Sequence, residues 1–224
     1  MRLAEALDDR ASFRRFRGFS RREAKPERTA FVRFRAELVR LKLDRALFAA
    51  VTSQLDRRVV MVRAGMLVHA TLIPSASIKD EEARWAGHRR RNPMHGYKAH
   101  VATDQEANLM RGVEVTTANA HDASERATIL RDAPGDAYGD STYQGDRPEG
   151  IIRARGGTPR VVYTGGFGGA AVAERLRAHN VEVRCVRCRI EKVFGTAKRP
   201  YGLRRMHWLG LAKVGLQVRL TAMA

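Results

Sequence analysis

The run Gly65-Met-Leu-Val-His-Ala-Thr-Leu-Ile-Pro74 is the segment around which the predicted fold is built. Its continuous apolar character is typical of a buried strand, and the two-residue alternation of a strand places His69 and Thr71 on one face. The turn residues Arg63-Ala-Gly65 precede it, which predicts a hairpin with Val59–Val62.

Around this run, the hydrophobic pattern predicts strands that alternate with helices. A period of two residues marks the strands, and a period of 3.6 residues marks the helices. The further predicted strands are Gly96–Thr103, Leu109–Val115, Ala137–Gly139 and Val181–Val186. The predicted helices are Asn119–Arg131, Ala170–His179 and Arg187–Lys198. This succession predicts an α/β fold with a mixed sheet and flanking helices, and residues 75–95 are predicted as a basic, polar connection.

The first 58 residues have a helical pattern. Phe31, Phe34, Leu38 and Leu41 are spaced as one face of a helix, and Asp44 is suited to begin a second helix as its N-cap. Arginines lie off the apolar stripe. Two interpretations stay open, namely helices that dock on a DNA duplex and a small bundle whose arginines are solvated.

Composition favours a polyanionic partner. The chain of 224 residues has a formal net charge of +18 and a pI near 11.1. No stretch is long and apolar enough to span a bilayer, so a membrane is not predicted as a partner. Two cysteines give no disulfide framework, and we expect a cytoplasmic protein.

The charge around Glu191 indicates phosphate chemistry. Residues 184–224 hold ten Lys and Arg side chains, and Glu191 is the single acid among them. Arg187, Glu191 and Lys198 fall on one side of the predicted helix, where a carboxylate could bind metal ions while the cations hold phosphates. An amphipathic helix with an Arg–Glu pair explains the same spacing, so this pattern alone does not decide.

Asp140 is a second candidate acid, because it directly follows a short apolar strand. The carboxyl end of a strand is a favoured position for active-site residues in α/β sheets. Phosphoryl transfer by two metal ions needs acids that are distant in sequence to converge. We therefore group His69, Asp140 and Glu191 as a candidate catalytic and metal-binding set.

Seven runs, taken in order, resemble the DDE transposases of bacterial insertion sequences, in the group named after insertion sequence five. The resemblance covers nearly the whole chain. The runs are Asp9-Arg-Ala-Ser-Phe-Arg-Arg-Phe-Arg-Gly18, Pro26-Glu-Arg-Thr29 with Phe34-Arg35, His69-Ala-Thr-Leu-Ile73, His95-Gly-Tyr-Lys-Ala-His-Val101, Thr117-Ala-Asn-Ala-His-Asp122, Ala137-Tyr-Gly-Asp-Ser-Thr-Tyr143, and Arg187 to Gly202.

The resemblance implies an RNase H-like catalytic domain over residues 59–224, behind a helical DNA-binding region over residues 1–58. It implies cleavage and joining of DNA that depend on Mg²⁺ or Mn²⁺, at the terminal inverted repeats and in target DNA. A homodimer at the bacterial nucleoid is the implied working state. Residues assigned to DNA are Arg184, Arg187, Lys198, Arg199, Arg204 and Arg205, and residues that support the acids are Asp122 and Tyr143.

Two positions depart from the family pattern. The family has Asp where this chain has His69, and Tyr where it has Arg184. Relatives also extend further at both ends, so the resemblance implies truncation. Mg²⁺ prefers oxygen ligands and imidazole suits Zn, Mn or Ni better, which predicts impaired catalysis. A catalytically dead DNA-binding remnant is the alternative, and a basic RNA-binding protein is a third interpretation.

Overall fold

The computed structural model divides the chain into two compact units, Met1–Leu43 and Asp44–Ala224. The predicted domain boundary between residues 58 and 59 stays a prediction. The residues that the structure describes are 11–16, 18–20, 23–24, 26–58, 65–88, 91–120, 126–165 and 168–224.

The first unit contains the helices α1 (Ala11–Phe16) and α2 (Arg28–Arg40). The predicted apolar stripe of α2 is only partly buried within the structure. Leu38 is buried, whereas Phe34 is 62% exposed and Leu41 is 49% exposed. The spacing therefore predicts the helix correctly but overstates how much of its face is covered.

The second unit is built on a mixed sheet of six strands. They are β1 (Met66–Pro74), β2 (Arg84–His88), β3 (Arg91–Asp104), β4 (Met110–Thr117), β5 (Asp136–Gly139) and β6 (Thr158–Val161). The order is β2-β3-β1-β5-β6, and β4 also pairs with β3. β1, β2, β3 and β4 pair antiparallel, while β5 is parallel to both β1 and β6. The predicted mixed α/β sheet is confirmed.

β1 lies between β3 and β5 in the sheet and contributes to a core on each face. Leu67 and Ile73 belong to one apolar cluster, whereas Met66 and Val68 belong to another. A strand buried on both faces requires the near-continuous apolar run found between Met66 and Pro74. His69 and Thr71 lie on the face of Leu67 and Ile73, because alternate residues share a face.

Helices flank this sheet in the second unit. They are α3 (Leu43–Arg57), α4 (Arg126–Ile129), α5 (Asp146–Ala154), α6 (Ala170–Arg187), α7 (Arg189–Lys198) and α8 (Leu211–Met223). The apolar face of α7 joins the cluster that contains Leu67 and Ile73. In the described part of the chain, no helix combines the length and the apolar character needed to cross a bilayer.

The predicted strand Val181–Val186 is wrong. This segment continues α6, which began as predicted at Ala170 and ends at Arg187. Within it Val183 is buried while Val181 is 60% exposed. Val-Glu-Val alternation resembles a strand, but burial follows the helical spacing that Val183 shares with the preceding turns.

Other boundaries differ from prediction. Asn119–Arg131 contains only the short helix α4, and residues 121–125 lie outside the described part. The connection over residues 75–95 contains β2 and the start of a longer β3. The predicted strand Val59–Val62 lies outside the described residues as well.

Candidate functional site

Three elements of the second unit bring His69, Asp140 and Glu191 together. His69 lies within β1, and Asp140 directly follows β5. β1 and β5 are parallel, with Met66 opposite Ala137 and Leu67 opposite Tyr138. Continuing that register by two residues places Asp140 beside His69.

The imidazole of His69 contacts both carboxylates. Its Nδ1 lies 3.7 Å from Asp140 Oδ2, and its Nε2 lies 3.8 Å from Glu191 Oε1. Both separations exceed the length of a hydrogen bond. The side chains of His69 and Asp140 are about a quarter exposed, and that of Glu191 is 63% exposed. The ring therefore lies between two acids at an open part of the surface.

Local contacts fix the orientation of these groups. Asp140 caps the 3₁₀ turn Ser141–Tyr143, and its Oδ1 accepts hydrogen bonds from the backbone N–H of Thr142 at 3.0 Å and from its hydroxyl at 2.5 Å. The ring of His69 packs against Phe194, with centroids 5.6 Å apart and planes at 57°. Phe194 lies on α7 one turn after Glu191, so the helix that carries Glu191 also packs against the ring of His69.

Lys198 also points to β1. Its Nζ donates a 2.7 Å hydrogen bond to Thr71 Oγ1. Lys198 and Glu191 are two turns apart on α7, while Thr71 and His69 are alternate residues of β1. The helix is therefore linked to the strand at two positions of the same face.

The other residues predicted to contact DNA lie in the last turn of α6 or after α7. Arg184, Arg199 and Arg204 are exposed. Arg187 is half-buried, and none of the residues that the structure describes is a hydrogen-bond partner of its buried Nη1. Arg205 donates to the backbone carbonyls of Ser75 and Ala76, at 3.0 and 2.9 Å.

Of the two residues predicted to support the acids, the structure describes only Tyr143. Asp122 lies outside the described residues. Tyr143 is almost completely buried, and its ring packs so closely on Gly139 that a Cβ there would lie 2.8 Å from Tyr143 Cγ. Gly139 therefore allows the turn that carries Asp140 to lie on the end of β5.

Sequence reasoning overlooked two side chains that contact the candidate site. Thr71 accepts from Lys198, and Thr142 donates to Asp140. The signal for Thr142 is local, because Asp followed two residues later by Thr is a common capping pattern. The signal for Thr71 is its alternation with His69 on one face of β1.

The donor set does not fit the pair of magnesium ions that the resemblance implies. Mg²⁺ takes oxygen ligands, and here an imidazole stands between the two carboxylates. Within the described ranges, no group of three or more His, Cys, Asp or Glu side chains is arranged to hold a metal ion. His69 therefore makes these three side chains a poorer magnesium site than three carboxylates would be.

Comparison with known proteins gives one family. The model described as the transposase DDE domain matches residues 62–224, which is most of the chain. This match covers β1 to β6 and the three grouped residues. No solved structure matches the chain.

Proposed function

This chain belongs to the family of transposases with a DDE domain, and from that premise we propose that it acts on DNA at the ends of an insertion sequence. Transposases of this family depend on a divalent metal and use DNA as substrate. The proposed reaction is strand cleavage followed by strand transfer, and His69 weakens it in this chain.

The convergence of His69, Asp140 and Glu191 carries the proposal. The three residues are far apart in sequence, yet the imidazole of His69 lies within 3.8 Å of both carboxylates. Acids from distant segments that converge at one open point of a sheet are what phosphoryl transfer on DNA requires. The position of His69 supports its assignment as the first member of the set.

The chemistry of the imidazole supports weakened catalysis. A carboxylate at position 69 would supply a negative charge and two oxygens beside Asp140, whereas an imidazole supplies one ring nitrogen as acceptor. Two adjacent cations would lose the charge that offsets their repulsion. Mn²⁺ tolerates nitrogen ligands better than Mg²⁺, so residual cleavage should favour Mn²⁺.

The basic end of the chain supports DNA as the ligand. Residues 184–224 contain ten Lys and Arg and one acid, Glu191, and among these cations Arg184, Arg199 and Arg204 are exposed. We assign these three, with Arg187, Lys198 and Arg205, to the DNA phosphates. Affinity that comes from such contacts falls steeply as salt rises, because bound counterions are released.

The type of fold, the family group, the DNA sites and the oligomeric state are part of the same proposal. The order β4-β3-β1-β5-β6, antiparallel on one side of β1 and parallel on the other, supports an RNase H-like domain. We place the chain in the insertion-sequence-five group, with DNA-binding helices in the first 58 residues. The terminal inverted repeats would be its specific sites, bound by a homodimer at the bacterial nucleoid.

A second function is favoured by the same contacts. Because the ring of His69 already lies against both carboxylates, the chain could bind element ends without cutting them. Such a remnant would occupy the repeats and ignore divalent metal. Metal dependence therefore separates the two functions.

Restoring the acid tests the proposal. The substrate is a duplex that carries the DNA flanking this gene, incubated with Mg²⁺ or Mn²⁺. We expect His69→Asp to raise Mg²⁺-dependent cleavage at least about tenfold. Mutating even the residues that hydrogen-bond to metal ligands typically lowers metal affinity or activity by about 10–100-fold. His69→Asn is the matched control, because it supplies oxygen without charge and should gain less.

The outcomes are distinct. Robust Mg²⁺-dependent cleavage by the unaltered chain would contradict weakened catalysis. Binding to the flanking DNA without cleavage by His69→Asp would favour the remnant. If neither protein binds DNA with a steep salt dependence, the whole proposal is wrong.

A further inference from the structure

Strand β2 and the first half of β3 form an antiparallel ribbon at one edge of the sheet. Arg84 lies opposite Gly96, and Trp85 lies opposite His95. In the described sheet, β3 is the neighbour of β2. The proposed function gives this ribbon no role.

Trp85 is unusually exposed for an indole. It is 60% accessible, and its ring lies 5.3 Å from that of His95, with the planes tilted by 47°. This contact with the facing strand restricts the orientation of the indole. The Nδ1 atom of His95 is buried, and it has no hydrogen-bond partner among the residues that the structure describes. A large aromatic side chain held in place at the surface is typical of a binding site.

Trp85 lies on the face of the sheet that carries His69. Opposed residues of antiparallel strands share a face, and so do alternate residues along each strand. Trp85 is opposite His95, and His69 is opposite Val101, six residues further along β3. At 3.4 Å per residue, the positions of Trp85 and His69 along the strand direction are about 20 Å apart. About six nucleotides of a DNA strand cover this distance.

The charge of this segment indicates the class of ligand. Residues 83–103 contain five Lys and Arg side chains and no Asp or Glu. The guanidinium of Arg84 donates from Nη1 to the carbonyls of Glu81 and Ala83, at 2.5 and 2.9 Å, so this cation is anchored beside Trp85. A second copy of so basic a ribbon would be repelled, whereas a polyanion with planar bases complements both the charge and the indole.

We propose that the β2–β3 ribbon contacts DNA and that a base of the bound strand stacks on Trp85. The inference rests on the proposed function, because it takes the same DNA as the ligand. It adds a stacking contact that lies away from the acids. Stacking on an aromatic side chain accepts any base, so Trp85 contributes affinity rather than sequence preference.

Intrinsic fluorescence provides a direct test, because the chain has two tryptophans, Trp85 and Trp208. In Trp208→Phe the emission reports on Trp85 alone. The probe is a 20-nucleotide single strand of mixed sequence, at several salt concentrations. We expect the emission to be quenched as the strand binds.

Affinity completes the test. Trp85→Ala should bind the same strand at least about fivefold more weakly, and Trp85→Phe should stay within about twofold of the unaltered chain. The slope of affinity against salt should not change, because no charge is removed. Trp208→Phe, the matched control, should bind normally. An exposed side chain contributes little to folding, so unchanged circular dichroism is expected for both Trp85 variants.

Two results would overturn the inference while leaving the proposed function intact. One is unchanged affinity of Trp85→Ala, and the other is unquenched Trp85 emission in a chain that has bound the strand. If the unaltered chain binds the duplex that flanks this gene but not the single strand, only the inference is wrong, and if it binds neither DNA, both proposals are wrong.

Discussion

Lys198 and Thr71 are 127 residues apart in sequence and are joined by a 2.7 Å hydrogen bond from the ammonium group to the hydroxyl. The bond links α7 to β1 beside the contact between Glu191 and His69. A lysine side chain has considerable rotational freedom, and a hydroxyl acceptor on a strand limits it. Thr71 is therefore a positioning residue for Lys198.

This relationship predicts energetic coupling. Thr71→Val keeps the shape of the side chain and removes the acceptor, and Lys198→Met removes the donor. We expect the double variant to be more stable than the sum of the single changes by at least about 0.5 kcal/mol, measured by urea unfolding. Thr71→Ser, which keeps the hydroxyl, should restore the coupling. Additive single changes would show that the hydrogen bond does not order Lys198.

A buried ionic cluster predicts a larger effect on stability. Arg219 Nη1 lies 2.6 Å from Asp44 Oδ2, and its Nη2 lies 3.3 Å from Glu114 Oε2, with the Arg219 and Asp44 side chains less than a tenth exposed. Arg219→Met would leave two acids without this buried partner, at a cost of about 3–5 kcal/mol of unfolding free energy.

The control for this change is an exposed ion pair. Arg177 and Glu174 are 3.6 Å apart on α6, with both side chains more than two-thirds exposed. Arg177→Met should cost less than about 1 kcal/mol in the same unfolding experiment. Equal losses for Arg177→Met and Arg219→Met would contradict the importance of burial.

Local sequence patterns predicted the elements whose apolar residues repeat with a clear period. β1 and α7 have clear periods, and their residues His69 and Glu191 lie together. Asp140 could be paired with them because an acid that ends a short strand beside β1 has little freedom of position. The local patterns thus placed each residue on its element, while the resemblance to the transposase family supplied the reason to treat the three residues as one set.

One element that the sequence analysis missed, the helix α8, lacks such a period. α8 is buried at six consecutive positions from Val214 to Arg219, so no polar face marks it as a helix. Asp44 suited an N-cap by residue type, yet it lies inside α3 and pairs with Arg219 near the other end of the chain. Partners this distant in sequence leave no local pattern.

The Asp80 carboxylate predicts a dependence of stability on pH. Burial opposes its ionisation, but hydrogen bonds from the Ser75 hydroxyl and the Tyr97 phenol outweigh this and hold the pKa of Asp80 below its ordinary value. A lowered pKa stabilises the fold above the pKa of the unfolded chain, about 3.9, and this contribution is lost as the pH falls through the lower folded value.

Tyr97→Phe tests this network. Removing a donor to a buried carboxylate should cost about 1.5–3 kcal/mol of unfolding free energy at pH 7. The deficit relative to the unaltered chain should shrink below about pH 4, because protonated Asp80 needs its donors less. Unfolding curves at pH 7 and pH 3 measure both values. A deficit that stays constant between these pH values would exclude Asp80 as its source.

The last prediction compares two glycines at which alanine should have opposite effects. A Cβ on Gly112 of β4 would meet the Ile129 carbonyl oxygen at 1.9 Å, so backbone must move to admit it. A Cβ on Gly150 of α5 meets no atom within 4 Å. We expect Gly112→Ala to destabilise the fold by about 1–3 kcal/mol, and Gly150→Ala to stabilise it by about 0.5–1 kcal/mol, because alanine favours helix. Thermal unfolding of both variants measures the two signs. A neutral Gly112→Ala would mean that α4 does not pack on β4 as closely as the structure places it.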